Sequence, residues 1–272
     1  MNAPPALPRG LRVLLLLVGL ARVTHAAEPP APLAQAHAHN DYEHTRPLLD
    51  ALEQGFCSVE ADVWLVEGQL LVAHDRDQVK AGRTLESLYL LPLHERVRAN
   101  GGRVFREGPS FTLLIDFKSA AGPTYAALKE ALTQHAAMLT RFEGGEVRTN
   151  GVTVIISGNR PLEIVAAETN RLAALDGRLS DLGKLPPLAV MPLISDNWRS
   201  HFEWTGTGEV TEADLQKLRG LVTQLHASGR RVRFWGMPDT PTAWQAQFDA
   251  GVDLINTDKL PELATWLQSA GQ

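Results

Sequence analysis

The sequence predicts an α/β protein, a single (β/α)8 TIM barrel with a small hairpin inserted after its second strand. Eight short strand-like runs occur along the chain, and most of them are followed by a helical pattern. About 240 residues remain after an N-terminal leader, which is a normal length for one such barrel. Several runs finish in charged or amide side chains, and barrel enzymes build their active sites where strands end. One domain with its site at that rim is therefore expected.

The first residues have the order of a secretory signal. Arg9 and Arg12 precede an apolar run that ends at Ala21, and small residues follow. The run is too short to span a membrane, which takes about 20 apolar residues, although a non-cleaved N-terminal anchor remains the alternative. The predicted boundaries are a signal peptide over 1–26, a tether over 27–35 and the barrel domain over 36–272. The mature protein is expected to be secreted or periplasmic.

The eight strand-like runs set the order of the predicted barrel. They are Ala36–His39, Cys57–Trp64, Thr112–Phe117, Val152–Ser157, Leu172–Leu175, Leu188–Ile194, Val232–Trp235 and Asp253–Asn256. Helical periodicity is clearest over Tyr125–Leu139, Glu212–Ser228, Pro241–Ala250 and Pro261–Gln268. Repeated strand-then-helix order implies parallel strands, and eight repeats in this length favour a closed barrel over an open sheet.

A hairpin is predicted directly after the second run. Leu70–Ala73 can pair back on Trp64–Val66 through a turn at Glu67-Gly68. This pairing would return His74 towards the second run. Further along the chain, Thr211 is expected to cap the helix that follows it.

Acidic side chains at the strand ends predict a metal site. In a strand, alternate residues share a face, so Glu60 and Asp62 point the same way. Two carboxylates this close repel each other unless a cation lies between them, and oxygen ligands suit Mg²⁺ or Ca²⁺. Asp116 ends the third run and Asn40 follows the first, so we expect Glu60, Asp62, Asp116 and Asn40 to bind one divalent cation. The alternative is a set of unrelated carboxylates, each paired with a basic side chain.

Four further residues are predicted to contact the substrate. Lys118 lies two residues beyond Asp116 and shares its face, so it could neutralise phosphate charge. Arg233 and Trp235 share a face of the seventh run, which suits an anionic group with an apolar neighbour. Trp198 follows the sixth run and could line the mouth. Salt bridges for Lys118 and simple packing for Trp235 are the alternatives.

Two histidines flank the acidic pair in sequence. His39 ends the first run and His74 follows the predicted hairpin, and an ordinary imidazole pKa of about 6.5 lets such a pair act as general acid and base. The HAH sequence that begins at His37 also matches the metal motif of amidohydrolase barrels. That interpretation requires further imidazole or Lys ligands on middle strands, and there is no histidine between His135 and His201. We therefore set it aside.

Charge argues against nucleic acid as the main partner. The chain has 26 Lys and Arg against 31 Asp and Glu, and its formal charge is −5. Removal of residues 1–26 takes away three arginines and no acid, so the charge becomes −8. No basic amphipathic helix stands out, so stable membrane insertion is not expected. We expect a monomer that acts on a small phosphodiester or phospholipid.

Several motifs together resemble the phospholipase C-like phosphodiesterase superfamily. They are His39-Asn40, Glu60-Ala61-Asp62, His74-Asp75, Asp116-Phe117-Lys118 and the segment GVDLINTDKL at 251–260. Members of that superfamily include glycerophosphodiester phosphodiesterases, phosphatidylinositol-specific phospholipases C and sphingomyelinase D. The HNDYEH, SDNW and RFWG segments look most like a bacterial and fungal branch grouped with the fungal altered-inheritance-of-mitochondria proteins.

The resemblance implies a metal-dependent phosphoric diester hydrolase. It implies that His39 and His74 act as acid and base on a glycerophosphodiester or a phospholipid headgroup, through a cyclic phosphate. By position we assign His39 as the acid and His74 as the base. Glycerophosphodiesterases have HRG where this chain has His39-Asn40-Asp41, so the arginine of that motif is missing here. The rival hypothesis is a non-catalytic barrel that binds phosphorylated headgroups, and the histidine pair argues against it.

Overall fold

The computed structural model describes residues 1–3 and 30–270. The predicted signal peptide, apart from residues 1–3, and the start of the predicted tether lie outside the described residues. In chain order the strands are β1 (Leu33–Ala38), β2 (Phe56–Val66), β3 (Gln69–Val72), β4 (Phe111–Phe117), β5 (Arg141–Glu143), β6 (Glu146–Arg148), β7 (Val152–Gly158), β8 (Asn170–Arg171), β9 (Ala173–Gly177), β10 (Leu193–Asn197), β11 (Arg231–Trp235) and β12 (Leu254–Thr257). The helices are α1 (Leu49–Glu53), α2 (Leu91–Ala99), α3 (Ala121–Gln134), α4 (Leu162–Ala167), α5 (Trp198–His201), α6 (Glu212–Ala227), α7 (Pro241–Ala250) and α8 (Leu260–Ala270).

Eight parallel strands close into a barrel. Their order around it is β1, β2, β4, β7, β9, β10, β11 and β12, and β12 pairs again with β1. The predicted barrel is therefore confirmed. The predicted hairpin is also present, because β3 pairs antiparallel with β2 and Trp64 faces Leu71. Its two turn residues, Glu67 and Gly68, have φ of +49° and +79°, as a type I′ turn requires.

The predicted elements differ from the observed ones mainly in the second half of the barrel. The sixth strand was expected at Leu188–Ile194, but β10 begins only at Leu193. The Val190 N–H donates to the Pro187 carbonyl in a turn, and Pro192 has no N–H for a ladder. Between β9 and β10 the chain forms a 3₁₀ turn over Leu179–Lys184 where the alternating pattern would place an α-helix.

One predicted helix end differs from the structure, and one predicted helix cap is present in it. The α3 helix stops at Gln134, before the predicted Leu139, because Leu139 bridges to Val152 instead. The predicted cap of α6 is confirmed, since the Thr211 hydroxyl accepts a hydrogen bond from the Asp214 N–H.

Strand alternation separates the core from the site. Val59, Ala61 and Val63 face outwards into the apolar layer between barrel and helices. The barrel interior has its own small apolar cluster, which includes Leu114 and Ile155. Each of these lies two residues before a polar strand end on its strand, so the cluster fills the barrel below the polar rim. No helix among the described residues is long and apolar enough to cross a membrane.

Candidate active site

The predicted acids meet at the C-terminal ends of neighbouring strands. Asp62 on β2 pairs in register with Asp116 on β4, which pairs with Ser157 on β7. Gly158 follows Ser157 with φ of +66°, and a Cβ there would lie 2.7 Å from Asp116 Oδ2. Glycine at this position therefore leaves room for the Asp116 carboxylate. We call Glu60, Asp62 and Asp116 the acidic wall.

Glu60 is held by basic neighbours within the barrel. The Arg233 Nη2 donates to its carboxylate, and His37 Nε2 lies 3.5 Å from the same oxygen. Burial alone would raise the pKa of Glu60, but the Arg233 charge and the His37 contact hold it well below its usual range. Arg233 is itself buried and also donates from Nε to Asn256 Oδ1 at 2.7 Å. The ion pair therefore spans the barrel from β11 to β2.

Asp62 uses its two oxygens very differently. Oδ2 lies 2.6 Å from the Tyr42 hydroxyl, 3.0 Å from His74 Nδ1 and 3.0 Å from Lys118 Nζ. Oδ1 is buried and has no hydrogen-bond partner among the described residues. Burial and the charge of Glu60 raise the pKa of Asp62 to about 6. One oxygen is thus fully engaged while the other lacks a partner.

Lys118 lies between the two aspartates of the acidic wall. Its Nζ is 3.0 Å from Asp62 Oδ2 and 2.9 Å from Asp116 Oδ2. Burial would lower the pKa of Lys118, but the two carboxylates raise it above its usual value. Pairing of these acids with basic side chains was the alternative to a metal site. Such pairs, with Lys118 and with Arg233, are present in the structure.

The residues of the acidic wall fit a hard divalent cation in their chemistry. They supply carboxylate oxygens on adjacent strands, and the unpartnered Oδ1 of Asp62 is an acceptor that a cation would satisfy. Asn40 supplies a nearby amide, which contacts the Tyr42 hydroxyl at 2.8 Å. Within the described ranges, no three His, Cys, Asp or Glu side chains are grouped as metal ligands. In this arrangement the charge between Asp62 and Asp116 is supplied by Lys118.

The two predicted catalytic histidines each face a carboxylate through Nδ1. His39 Nδ1 lies 2.9 Å from Asp258 Oδ1, and His74 Nδ1 lies 3.0 Å from Asp62 Oδ2. Burial would lower the pKa of His39, but its hydrogen bond to Asp258 and the charge of Glu60 outweigh this and raise it. Asp258 is a functional neighbour that the sequence analysis did not assign, although it lies in the GVDLINTDKL segment.

Asn40 and Tyr42 are positioned by the turn that follows β1. Asn40 has φ of +47°, a left-handed conformation that asparagine tolerates better than most residues. This conformation ends β1 and starts the 3₁₀ turn Asp41–Glu43. The Tyr42 hydroxyl thereby reaches Asn40, Asp62 and His74. The sequence analysis missed Tyr42, although it is part of the HNDYEH segment.

A second polar surface faces the mouth from the other half of the barrel. We call it the arginine wall, and it consists of Ser157, Asp176, Arg178, Ser195 and Trp235. Asp176 Oδ2 accepts hydrogen bonds from Ser157 at 2.8 Å, from Arg178 at 2.7 Å and from Ser195. The Arg178 guanidinium lies 4.8 Å from the centre of the half-buried Trp235 ring. Trp235 therefore lies at the end of β11 beside Arg178, an arginine that was not among the predicted site residues.

The predicted substrate contact for Trp198 is not supported. Its side chain is fully buried, its ring stacks on Phe202, and its Nε1 donates to the Trp204 carbonyl at 2.8 Å. A tryptophan without exposed surface cannot contact a ligand in the mouth, so the structure assigns it a packing role.

Sequence comparison identifies the family. The profile of the AIM6-like phosphodiesterase domain matches residues 30–176, which is 147 of the 272 residues. The chain belongs to the AIM6-like phosphodiesterase domain family. A second profile, that of the glycerophosphoryl diester phosphodiesterase family, matches residues 231–261. The two matches together include both the acidic wall and the segment that carries Arg233, Trp235 and Asp258.

Fungal relatives extend the match beyond the profile. Altered inheritance of mitochondria protein 6 of Lachancea thermotolerans is 31% identical over 84% of this chain and 64% of its own length. The Eremothecium gossypii protein of the same name is 31% identical over 84% of this chain and 68% of its own length. This AIM6-like phosphodiesterase domain therefore spans about two thirds of the length of these two relatives.

Solved structures support the fold. A glycerophosphodiester phosphodiesterase from Parabacteroides distasonis superimposes with a TM-score of 0.54 at 18% identity, over 89% of this chain and all of that one. An Oleispira antarctica phosphodiesterase, solved with the product sn-glycerol-3-phosphate, gives a TM-score of 0.53 at 17% identity, over 87% of this chain and 97% of its own. At these identities the similarity shows a shared barrel. The family match assigns the chain to the phosphodiesterases.

Proposed function

We propose that this AIM6-like phosphodiesterase domain is a metal-dependent phosphoric diester hydrolase that cleaves a glycerophosphodiester or a phospholipid headgroup. The observation that carries the proposal is the pair of histidines, each with Nδ1 against an aspartate, which is Asp258 for His39 and Asp62 of the acidic wall for His74. An Nδ1 that donates to a carboxylate leaves Nε2 free for proton transfer. A barrel that only binds phosphate would have no use for two such groups.

The two histidines have different proton assignments in this proposal. The raised pKa of His39 favours its protonated form, so His39 is the general acid. His74 is the general base. Where the substrate has a hydroxyl beside its phosphate, His74 Nε2 accepts the hydroxyl proton as that oxygen bonds to phosphorus. The His39 Nε2–H donates to the leaving alcohol oxygen as its P–O bond breaks. A cyclic phosphodiester and an alcohol result, and water then opens the ring with the two roles exchanged.

The proposed cofactor is one divalent cation, Mg²⁺ or Ca²⁺. When bound, it supplies Lewis acidity to a phosphoryl oxygen and lowers the pKa of a neighbouring hydroxyl. Glu60, Asp62 and Asp116, with the amide oxygen of Asn40, would hold it. The unpartnered Oδ1 of Asp62 and its raised pKa support this assignment, since a neighbouring cation relieves both. Lys118 and Arg233 add positive charge that stabilises the phosphate in the transition state.

Phosphorus NMR tests the proposal directly. The purified chain is incubated with glycerophosphocholine, glycerophosphoinositol, phosphatidylinositol, lysophospholipids and bis-p-nitrophenyl phosphate, each with Mg²⁺, Ca²⁺ or chelator. We expect a cation-dependent product from at least one diester, with a transient cyclic phosphate where an adjacent hydroxyl exists. His39→Ala and His74→Ala are each expected to lose about 100-fold or more in turnover while they remain folded. Undiminished turnover in either variant would exclude the two-histidine mechanism.

The proposed location of this activity is the periplasm or the extracellular medium. The support is the order of basic, apolar and small residues over 1–26. N-terminal sequencing of the mature protein is expected to begin after Ala26 or Ala27. An intact N-terminus in a membrane fraction would favour the anchor alternative instead.

A further inference from the structure

The Tyr42 hydroxyl is the point at which three groups of the site meet. It lies 2.6 Å from Asp62 Oδ2, 2.8 Å from Asn40 Oδ1 and 3.1 Å from His74 Nδ1. The Tyr42 side chain is only 4% exposed, so water cannot readily replace any of these partners. A phenol, whose ordinary pKa is about 10, keeps its hydrogen near neutral pH and has it available for one of these contacts.

The number of available hydrogens determines which group donates and which accepts in each of these contacts. A phenol has one hydrogen, and Asp62 is both its nearest and its only charged acceptor. The Asn40 contact is then satisfied when the amide presents its N–H group, which turns the amide oxygen away from Tyr42. His74 Nδ1 lies 3.0 Å from the Asp62 carboxylate and 3.1 Å from the phenol oxygen, so it faces two acceptors. Only an Nδ1 that carries hydrogen satisfies this environment.

The backbone around Tyr42 is held from both sides. Arg83 Nη2 donates to the Tyr42 carbonyl at 2.6 Å. The neighbouring Asp41 accepts hydrogen bonds from the Leu48 N–H at 2.5 Å and from the Tyr89 hydroxyl at 2.8 Å. A side chain whose backbone is fixed in this way can hold a partner at a defined distance and angle.

We propose that Tyr42 is the positioning residue for His74, which it holds together with Asp62 in the Nδ1–H form with Nε2 bare. The inference rests on the proposed function in assigning His74 as the base, but the tautomer and its dependence on Tyr42 are properties of the folded chain alone. Tyr42 does not touch the reacting atoms and acts through the imidazole. Tyr42→Phe should therefore lower kcat about 10- to 100-fold and leave KM within about twofold.

The first measurement is independent of turnover. Long-range ¹H–¹⁵N NMR of the imidazoles, in chelator at about pH 8 where an ordinary histidine is neutral, reads the tautomer of each ring. His74 is expected in the Nδ1–H form in the parent and as a mixture in Tyr42→Phe. Tyr89→Phe is the matched control, because it removes a buried hydroxyl that supports the same turn without contacting His74. It should destabilise the fold comparably and leave the His74 tautomer unchanged.

The second measurement is a double-mutant cycle on the diester that the parent cleaves. If Tyr42 acts through His74, Tyr42→Phe should cost nothing further in a His74→Ala background and its full factor in a His39→Ala background. A full factor in both backgrounds would overturn the inference, as would a parent-like His74 tautomer in Tyr42→Phe. Equal losses of kcat in Tyr42→Phe and Tyr89→Phe would also overturn it, because they would show that Tyr42 has only a structural role. A parent inactive on every diester but with the expected tautomer change would uphold the positioning role and remove the proposed function.

Discussion

The acidic wall and the arginine wall each contain a fully buried aspartate with the same hydrogen-bonding pattern. Asp62 and Asp176 both engage Oδ2 with three donors, and Oδ1 of each lacks a partner within the described part of the chain. The two carboxylates therefore have the same local arrangement on opposite halves of the mouth. What distinguishes them is the chemistry of their donors and neighbours.

Two of the three donors of Asp62 are partly exposed to solvent. His74 has a side chain that is 47% exposed, and Lys118 is 25% exposed. Glu60 and Asp116 add negative charge beside Asp62. A carboxylate in such surroundings is suited to proton transfer and cation binding.

The donors of Asp176 are two serine hydroxyls and a guanidinium, which are not among the usual general acids and bases of enzymes. Arg178 is fixed by Asp176 and Ser157 and lies over Trp235. A carboxylate in these surroundings builds a rigid polar surface. The chemical nature of its donors and neighbours, more than the number of its hydrogen bonds, therefore decides whether a buried aspartate can take part in chemistry.

The largest predicted effect is a difference in kcat between variants of the two aspartates. Asp62→Asn removes the charge that faces His74 and would remove a ligand of the proposed cation, so we expect kcat to fall at least about 1000-fold. Asp176→Asn leaves the proton-transfer groups untouched and should keep kcat within about fivefold while lowering stability by about 3 kcal/mol, since it leaves the Arg178 guanidinium without the charge of its partner. Steady-state kinetics and denaturant unfolding of both variants measure this. Comparable loss of kcat in a folded Asp176→Asn would make the arginine wall catalytic and would end the distinction.

The second prediction concerns removal of the proposed cation. Exhaustive chelation should abolish turnover, and Mg²⁺ or Ca²⁺ should restore it. At about 100 times its dissociation constant the cation should stabilise the parent by about 2.7 kcal/mol, and Asp176→Asn by the same amount, but Asp62→Asn hardly at all. Thermal unfolding with and without cation gives these differences. Full activity after chelation would leave Lys118 as the group that neutralises the acidic wall.

The third prediction asks whether the arginine wall contacts substrate. Arg178→Lys keeps the charge but loses the planar fork that binds Asp176 and Ser157 and the stacking on Trp235. We expect KM to rise about tenfold with kcat little changed, because the guanidinium contributes to binding and not to proton transfer. Lys129→Arg is a suitable control, since Lys129 pairs with Glu168 on the outside of the barrel. Unchanged KM for every diester cleaved would restrict the arginine wall to a structural role.

The difference between the walls also explains what the sequence could predict. The acidic wall is visible because its acids stand at fixed spacings at the ends of apolar runs, so that strand alternation alone brings Glu60 and Asp62 to one face. Asp176 and Arg178 follow the fifth predicted run, Leu172–Leu175, and their partners Ser157 and Ser195 come from other strands. Such contacts depend on how strands are placed around the barrel, which local periodicity does not record.

Aromatic residues mark a second limit of prediction. Trp198 and Trp235 both follow or end apolar runs, yet one is fully buried and the other lies at the mouth. In the sequence Tyr42 resembles any turn residue, and only the fold brings its hydroxyl beside Asp62. An aromatic side chain is equally compatible with packing and with a polar contact, so only its surroundings in the fold distinguish the two.

The smallest predicted effect is a pH-dependent change in unfolding free energy that is linked to His37 on β1. This residue is fully buried, with Nδ1 2.7 Å from Ser58 Oγ, and burial followed by the charge of Arg233 lowers its pKa to about 3. The unfolded chain protonates this histidine near its ordinary value of about 6.5, whereas the folded chain does not. Stability linked to His37 is therefore complete above about pH 6.5 and decreases as the pH falls towards 3.

Between pH 6.5 and 5.5 this linkage should cost about 1 kcal/mol of unfolding free energy. His37→Asn, which cannot be protonated, should lose about that much less than the parent over the same interval, whatever its absolute stability. Urea unfolding of both proteins in chelator at the two pH values provides the comparison. If the two proteins lose the same free energy of unfolding, water reaches the His37 imidazole and it titrates normally. The Glu60–Arg233 pair, which His37 contacts through Glu60, would then be solvated as well.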